Sequence, residues 1–310
     1  MRLAIRTALA AAALLASTGR LPAHDQRESA GKHVQAAVQT PPQNPMPAVR
    51  ADQWAEAQEI AARFADPVAE KLVLYFRLLA PGAATASEIA GFMQNSPDWP
   101  AQALLERRRQ EAIAADPDDS DVLTQCHRGM PTLGPALLRC AQAMANAGNE
   151  ADAAATARQA WVSVIADPAT EAEFQHRWAA SVTPDDQWQR FLRLAWHDPN
   201  AAARQLPAID PAHRAAATAR LALKRDDPAA DGLFLALPAA DQQEPGMVLD
   251  RARFLRRANR DADAVTLWTG PGVAAQRAAP DHQADFWAER NLMIRQLLRD
   301  GDKQDAYAVA

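Results

Sequence analysis

Met144-Ala-Asn-Ala-Gly148 followed by Ala153, Leu255-Arg-Arg-Ala-Asn259 followed by Ala264, and Leu297-Leu-Arg-Asp-Gly301 followed by Ala306 are three spellings of one pattern. In each, an apolar residue stands four places before a Gly or Asn, and an Ala stands five places after it. Gly and Asn tolerate the left-handed conformation that ends a helix, so Gly148, Asn259 and Gly301 are expected at positive φ. The later Ala has almost no side chain, which lets a returning helix pack closely. The pattern therefore spells a helical hairpin, and its recurrence predicts hairpins stacked side by side. The unequal intervals make the repeats degenerate, and generic hairpins in a non-repeating bundle are the alternative.

Outward from these turns the chain is punctuated by Asp-Pro at Asp66, Asp116, Asp167, Asp198, Asp210 and Asp227, with Thr183-Pro184 as a variant. Asp or Thr caps a helix by accepting an orphan N–H, and Pro fits the first helical position, where its missing donor is not needed. Thr183-Pro184-Asp185-Asp186 is the clearest such start, with Asp186 beside the positive helix end. Apolar spacing agrees at Leu72, Tyr75, Phe76 and Leu79, and at Trp188, Phe191, Leu192 and Ala195. No sustained two-residue alternation suggests a strand. Alanine abundance, with only 2 tyrosines, adds to the helical reading.

The fold class expected is all-α: a right-handed α-α superhelix, a TPR-like solenoid of helical hairpins over residues 51–310. Residues 24–50, polar and interrupted by Pro41, Pro42 and Pro45, read as a flexible leader. Residues 1–23 read as a signal peptide: Arg2 and Arg6, the short apolar run Ala8 to Ala16, then small residues offering cleavage after Gly19 or Ala23. That run is too short to span a bilayer. An exported, periplasmic product without a membrane span follows. Cleavage takes the net charge from −5 to −7 or −8. An acidic chain without a basic, aromatic-interleaved stripe argues against nucleic acid as a partner. Arg107, Arg108 and Arg109 read as a solvated face.

Cys126 and Cys140 either pair in an oxidising compartment or lie free on neighbouring helices. The seven histidines, His24, His33, His127, His176, His197, His213 and His282, are dispersed, and none recurs at i, i+4. Glycine-rich phosphate loops and nucleophile elbows are missing from the sequence, and most carboxylates read as helix caps. No catalytic, cofactor-binding or metal-binding residue is therefore assigned, and no cofactor is expected. The eight tryptophans, Trp54, Trp99, Trp161, Trp178, Trp188, Trp196, Trp268 and Trp287, are the unusual feature. Exposed ones could stack on sugar rings; most read as spacers between helices.

Several stretches in order resemble the superhelical region of soluble lytic transglycosylases. They are Lys71-Leu-Val-Leu-Tyr-Phe-Arg-Leu-Leu-Ala-Pro-Gly82, Ser87-Glu-Ile-Ala-Gly-Phe92 and Asn95-Ser-Pro-Asp-Trp-Pro-Ala-Gln-Ala-Leu-Leu105. Next come Ala157-Arg-Gln-Ala-Trp161, Thr183 to Asp186, Arg193-Leu-Ala-Trp196, Phe286-Trp-Ala-Glu-Arg290 and Leu297 to Tyr307. Ser96, between Asn95 and Pro97, departs from the family pattern. The resemblance implies a curved scaffold around peptidoglycan glycan strands. In that family a C-terminal lysozyme-like domain cleaves between N-acetylmuramic acid and N-acetylglucosamine, using one glutamate. Its motifs have no match here, so the chain is expected to be a truncated superhelical module, inactive alone. Glycan strands and other cell-wall proteins are the implied partners. The alternative is a stand-alone periplasmic helical-repeat scaffold that binds protein or peptidoglycan.

Overall fold

A computed structural model of the chain describes residues 44–310. The stretch read as a signal peptide, and the stretch read as a leader up to residue 43, lie outside the described residues. Nineteen α-helices and three short 3-10 turns run from Met46 to Val309, with no strand among the described residues. The chain is all-α.

The helix starts follow the capping chemistry. Asp66, Asp167, Asp198 and Asp210 each accept backbone N–H groups at the start of the helices Pro67–Leu79, Pro168–Trp178, Pro199–Gln205 and Pro211–Lys224. Thr183 and Asp186 form a reciprocal capping box at the head of Pro184–His197. Two Asp-Pro pairs act differently. Asp116 closes the helix Gln102–Ala115, because a residue before proline is pushed to extended backbone, and Asp118 caps Asp119–Arg128 instead. Asp227 caps a turn ahead of Ala230–Leu235.

The helix ends match the quoted pattern. Gly148, Asn259 and Gly301 have φ of 85°, 54° and 92°. The N–H of the following residue donates to the carbonyl of Met144, Leu255 or Leu297 at 2.9 Å in all three turns, the closing bond of a Schellman motif. Ala153, Ala264 and Ala306 are buried where the next helix returns. One further copy exists, and one further turn closes in the same way without the later Ala. Gln53 donates to Ala48 O at 2.9 Å across Asp52 (φ 55°), with Ala57 buried five residues on, and Asp227 donates to Ala222 O at 3.0 Å across Asp226 (φ 54°).

The further copy moves a boundary. The helix Met46–Arg50 lies inside the stretch read as flexible leader, and its Ala48 and Val49 pack on Ala57, Ala61 and Val73. Asn44 accepts the Met46 N–H at 3.0 Å, which starts that helix despite the flanking prolines. The apolar stripe on Pro67–Leu79 also differs. Val73, Tyr75 and Leu78 are its buried residues, while Leu72 is exposed.

Each helix packs on near neighbours in sequence. One row passes from Pro67–Leu79 to Gln102–Ala115 and Gly134–Asn146. A second passes from Glu150–Ser163 through Pro184–His197, Pro211–Lys224 and Pro245–Arg257 to Gln283–Asp300. The core is correspondingly divided into separate apolar clusters, as in a stacked array in which a unit touches only its neighbours. The disulfide Cys126–Cys140 joins the helices Asp119–Arg128 and Gly134–Asn146, with Cα atoms 6.2 Å apart, so the pairing alternative holds.

Arginines clasp the seams of these rows. Arg108 Nε donates to Leu79 O at 2.8 Å, Arg139 Nε to Asp116 O at 2.7 Å, and Arg193 Nε to Val162 O at 2.6 Å. Arg257 Nη2 donates to Leu223 O at 3.1 Å. Each reaches the C-terminal end of the preceding row helix, where carbonyls lack partners and the helix dipole is negative. The run Arg107–Arg109 is therefore not one solvated face. Successive helical residues point about 100° apart: Arg107 pairs outward with Glu111, Arg108 clasps Leu79 and Arg109 is buried against Glu106.

Candidate binding cleft

The structure sorts the tryptophans by what they touch. Trp161 stacks on Phe174 at 4.3 Å, carries the Arg190 guanidinium 3.6 Å above its ring and donates to Gln187 Oε1 at 3.0 Å. Trp188 stacks on His213, and Trp196 on His282. Trp178 and Trp268 are buried, and Trp99 packs edge-on against Tyr75 and Phe92. These are spacers, as expected for most of the set. Trp287 is 55% exposed, on the outer face of Gln283–Asp300.

Trp54 is different. It opens the helix Trp54–Ala62, which fully buried Ala57 and Ala61 allow to lie close to Pro67–Leu79. The two helices leave an open cleft of about 480 Å³, lined by Trp54, Gln58, Glu70, Lys71, Leu74 and Arg77 among others. Arg77 is fixed at one end by Glu88 at 2.6 Å and by Ala83 O at 3.2 Å. At the Glu88 carboxyl, burial pushes upward, but hydrogen bonds from Arg77 and the Thr85 N–H outweigh it and hold the group below its ordinary range. Lys71 Nζ stands 5.1 Å over the Trp99 ring and 5.7 Å over Phe92, within cation–π reach.

The cleft thus offers an indole wall, an aliphatic floor and a rim carrying both signs of charge and an amide. Such a set suits a ligand with one apolar face and several hydroxyl or amide groups at its edge. A second cleft, about 510 Å³ and more apolar, lies between Met130, Thr132, Leu137, Thr156 and Val164.

Sequence reading named Trp54 as one of eight and did not separate it from the others. It also missed that His197 and His282, 85 places apart in the chain, have ring centroids 5.6 Å apart. Many carboxylates read as caps are ion-paired in helix interiors. Asp250 meets Arg220 and Lys224 at 3.0 and 2.8 Å, and Glu289 meets Arg256. Among the described residues no three His, Cys, Asp or Glu side chains are grouped to hold a metal ion, and no helix is long and apolar enough to cross a membrane. No family model, curated protein or solved structure matches the chain.

Proposed function

We propose that the chain is a periplasmic scaffold module that binds peptidoglycan glycan strands, as the right-handed superhelical region of a lytic transglycosylase does. The Trp54 cleft carries this reading, because the apolar face of a pyranose packs on an indole while Gln58, Glu70, Lys71 and Arg77 meet its hydroxyl and acetamido edge. The stacked hairpins support it as the framework that holds such a cleft on a repeating surface. Bond cleavage is assigned by the resemblance to a domain with no counterpart in this sequence, so the chain by itself is expected to release no anhydromuropeptides from purified sacculi.

Co-sedimentation with sacculi tests the binding. The purified chain should pellet with them, and Trp54→Ala should weaken that association by roughly tenfold, the loss of one buried aromatic contact. Equal pelleting of Trp54→Ala, or no pelleting of the parent chain, overturns the reading. The second reading, a protein-binding scaffold, is favoured by the apolar cleft beside Met130 and Leu137. It predicts no association with sacculi at all.

A further inference from the structure

A smaller cavity of about 220 Å³ lies between the helices Ala86–Asn95, Gln102–Ala115 and Asp119–Arg128, lined by Ala90, Met93, Glu106, Arg109, Gln125 and Arg128. Gln125 is 2% exposed, and its Oε1 has no hydrogen-bond partner. A buried carbonyl oxygen without a donor is costly, and native interiors rarely keep one unless a ligand or water completes it. The adjacent Cys126 is bonded to Cys140, which ties the turn that carries Gln125 to the next helix.

The charges around that oxygen are uneven. Glu106 accepts from Arg109 Nε and Nη2 at 2.8 Å each and from Gln110 Nε2 at 2.8 Å. Arg109 therefore neutralises it in a bidentate pair. Arg128, exposed at the rim in the last turn of its helix, leaves the lining with one positive charge in excess. Ala90 and Met93 supply the apolar part of the wall.

We propose that this cavity binds the carboxyl-terminal end of an acylated small amino acid. The carboxylate meets Arg128, the amide N–H donates to Gln125 Oε1 and the small side chain lies against Ala90 and Met93. An inorganic anion would leave Gln125 unpaired. A free amino acid would place an ammonium group, in place of the amide N–H, in a lining that already carries one positive charge in excess. The site is separate from the Trp54 cleft, and its proposal does not rest on glycan binding.

The test uses N-acetylalanine in both enantiomers, titrated into the whole chain carrying methyl-labelled methionine. Saturable binding by calorimetry with a shift of the Met93 methyl is expected. N-acetylalaninamide, lacking the carboxylate, and acetate, lacking the donor, should bind at least tenfold more weakly, a factor typical of one lost charged or buried hydrogen bond. Gln125→Leu should reduce N-acetylalanine binding by a similar factor without lowering the melting temperature, because it removes an unpartnered amide rather than a contact. Arg128→Gln, a surface change that leaves the core alone, should also weaken binding, whereas Trp54→Ala should not. Absence of saturable binding by either enantiomer, or full binding by Arg128→Gln, overturns the proposal. Full binding by a folded Gln125→Leu chain overturns it as well.

Discussion

The stretch from Met46 to Ser163 and the stretch from Pro168 to Val309 build the same kind of hairpins but seal them differently. In the first, apart from the Arg108 and Arg139 clasps at helix ends, the seams are aliphatic and aromatic: Tyr75, Leu78, Ile89, Phe92 and Leu105 form one cluster, and Ile113, Val122, Cys126 and Cys140 another that the disulfide crosses. Its buried polar groups are mostly neutral, such as Gln110 and Gln125, with Arg109 the exception. In the second stretch charges are threaded through the interior. Arg190 and Arg220 are each 1% exposed, and Asp250, Arg251 and Glu289 are buried with them. Asp250 alone serves Arg220, Lys224 and Arg253. Apolar seams lose stability in proportion to the volume removed, whereas a charged seam fails when one member is taken away and the rest stay buried.

The difference is sharpest at Asp250. Asp250→Ala should destabilise the chain by about 3–5 kcal/mol, since it strands Lys224 and leaves Arg220 only Glu244 at 3.4 Å. Burial already pushes the Lys224 ammonium below its ordinary pKa, against the pull of Asp250, so the stranded state is the worse one. Chemical denaturation measures the loss, and a loss below about 1 kcal/mol would place this network with ordinary surface pairs. Replacing Arg220, Lys224 and Asp250 together by Met, Met and Leu should recover most of the deficit, because no member of the network is then left buried and unpaired.

The matching break in the first stretch is the disulfide. Reduction, or Cys126→Ser with Cys140→Ser, should lower stability by about 3 kcal/mol through the loop closure that the bond removes from the unfolded chain. Equal melting with and without reductant would show that the apolar seam suffices. Gly148→Val and Gly301→Val probe the hairpin turns on either side of the divide. At φ of 85° and 92° a branched side chain resists the backbone, and each should lose about 1–2 kcal/mol. The added Cβ meets nothing within 4 Å at either site, so the effect isolates conformation from crowding.

The smallest expected effect is on acid stability, and it touches both stretches. Arg109 holds the Glu106 carboxyl below its ordinary range, against burial. At Asp231, burial pushes upward but hydrogen bonds from Arg251 and Arg260 outweigh it and lower the value. A carboxylate depressed in the folded state contributes stability above its unfolded pKa of about 4 and loses it as pH falls through the lower folded value. Asp231→Asn should therefore flatten the decline in melting temperature from about pH 5 to about pH 2. An unchanged slope would remove Asp231 from the acid response.

The hairpin turns were legible because left-handed helix ends have a short local vocabulary. Where Asp52 and Asp226 take that place the signal faded, since Asp is read first as a cap. Thr183-Pro184 and four of the six Asp-Pro starts were legible for the same local reason. The clasping arginines were not, because Arg108 and Leu79, or Arg257 and Leu223, stand 29 and 34 residues apart and no periodicity links them. Of the binding features, Trp54 was visible as a residue type and invisible as a position. Gln125 was neither, because a neutral amide inside an amphipathic helix leaves no mark until its neighbours are known.

Those clasps turn helix length into a ruler. Adding one residue near the end of Pro67–Leu79 or Pro211–Lys224 would carry the terminal carbonyl about 1.5 Å along the axis and about 100° around it, out of reach of Arg108 or Arg257. The same insertion in the connection between Gly129 and Leu133 would shift no clasped carbonyl. Relatives of this chain should therefore vary freely in their connections and hold the lengths of their row helices fixed. The arginine clasps thereby set which parts of the array evolution can stretch.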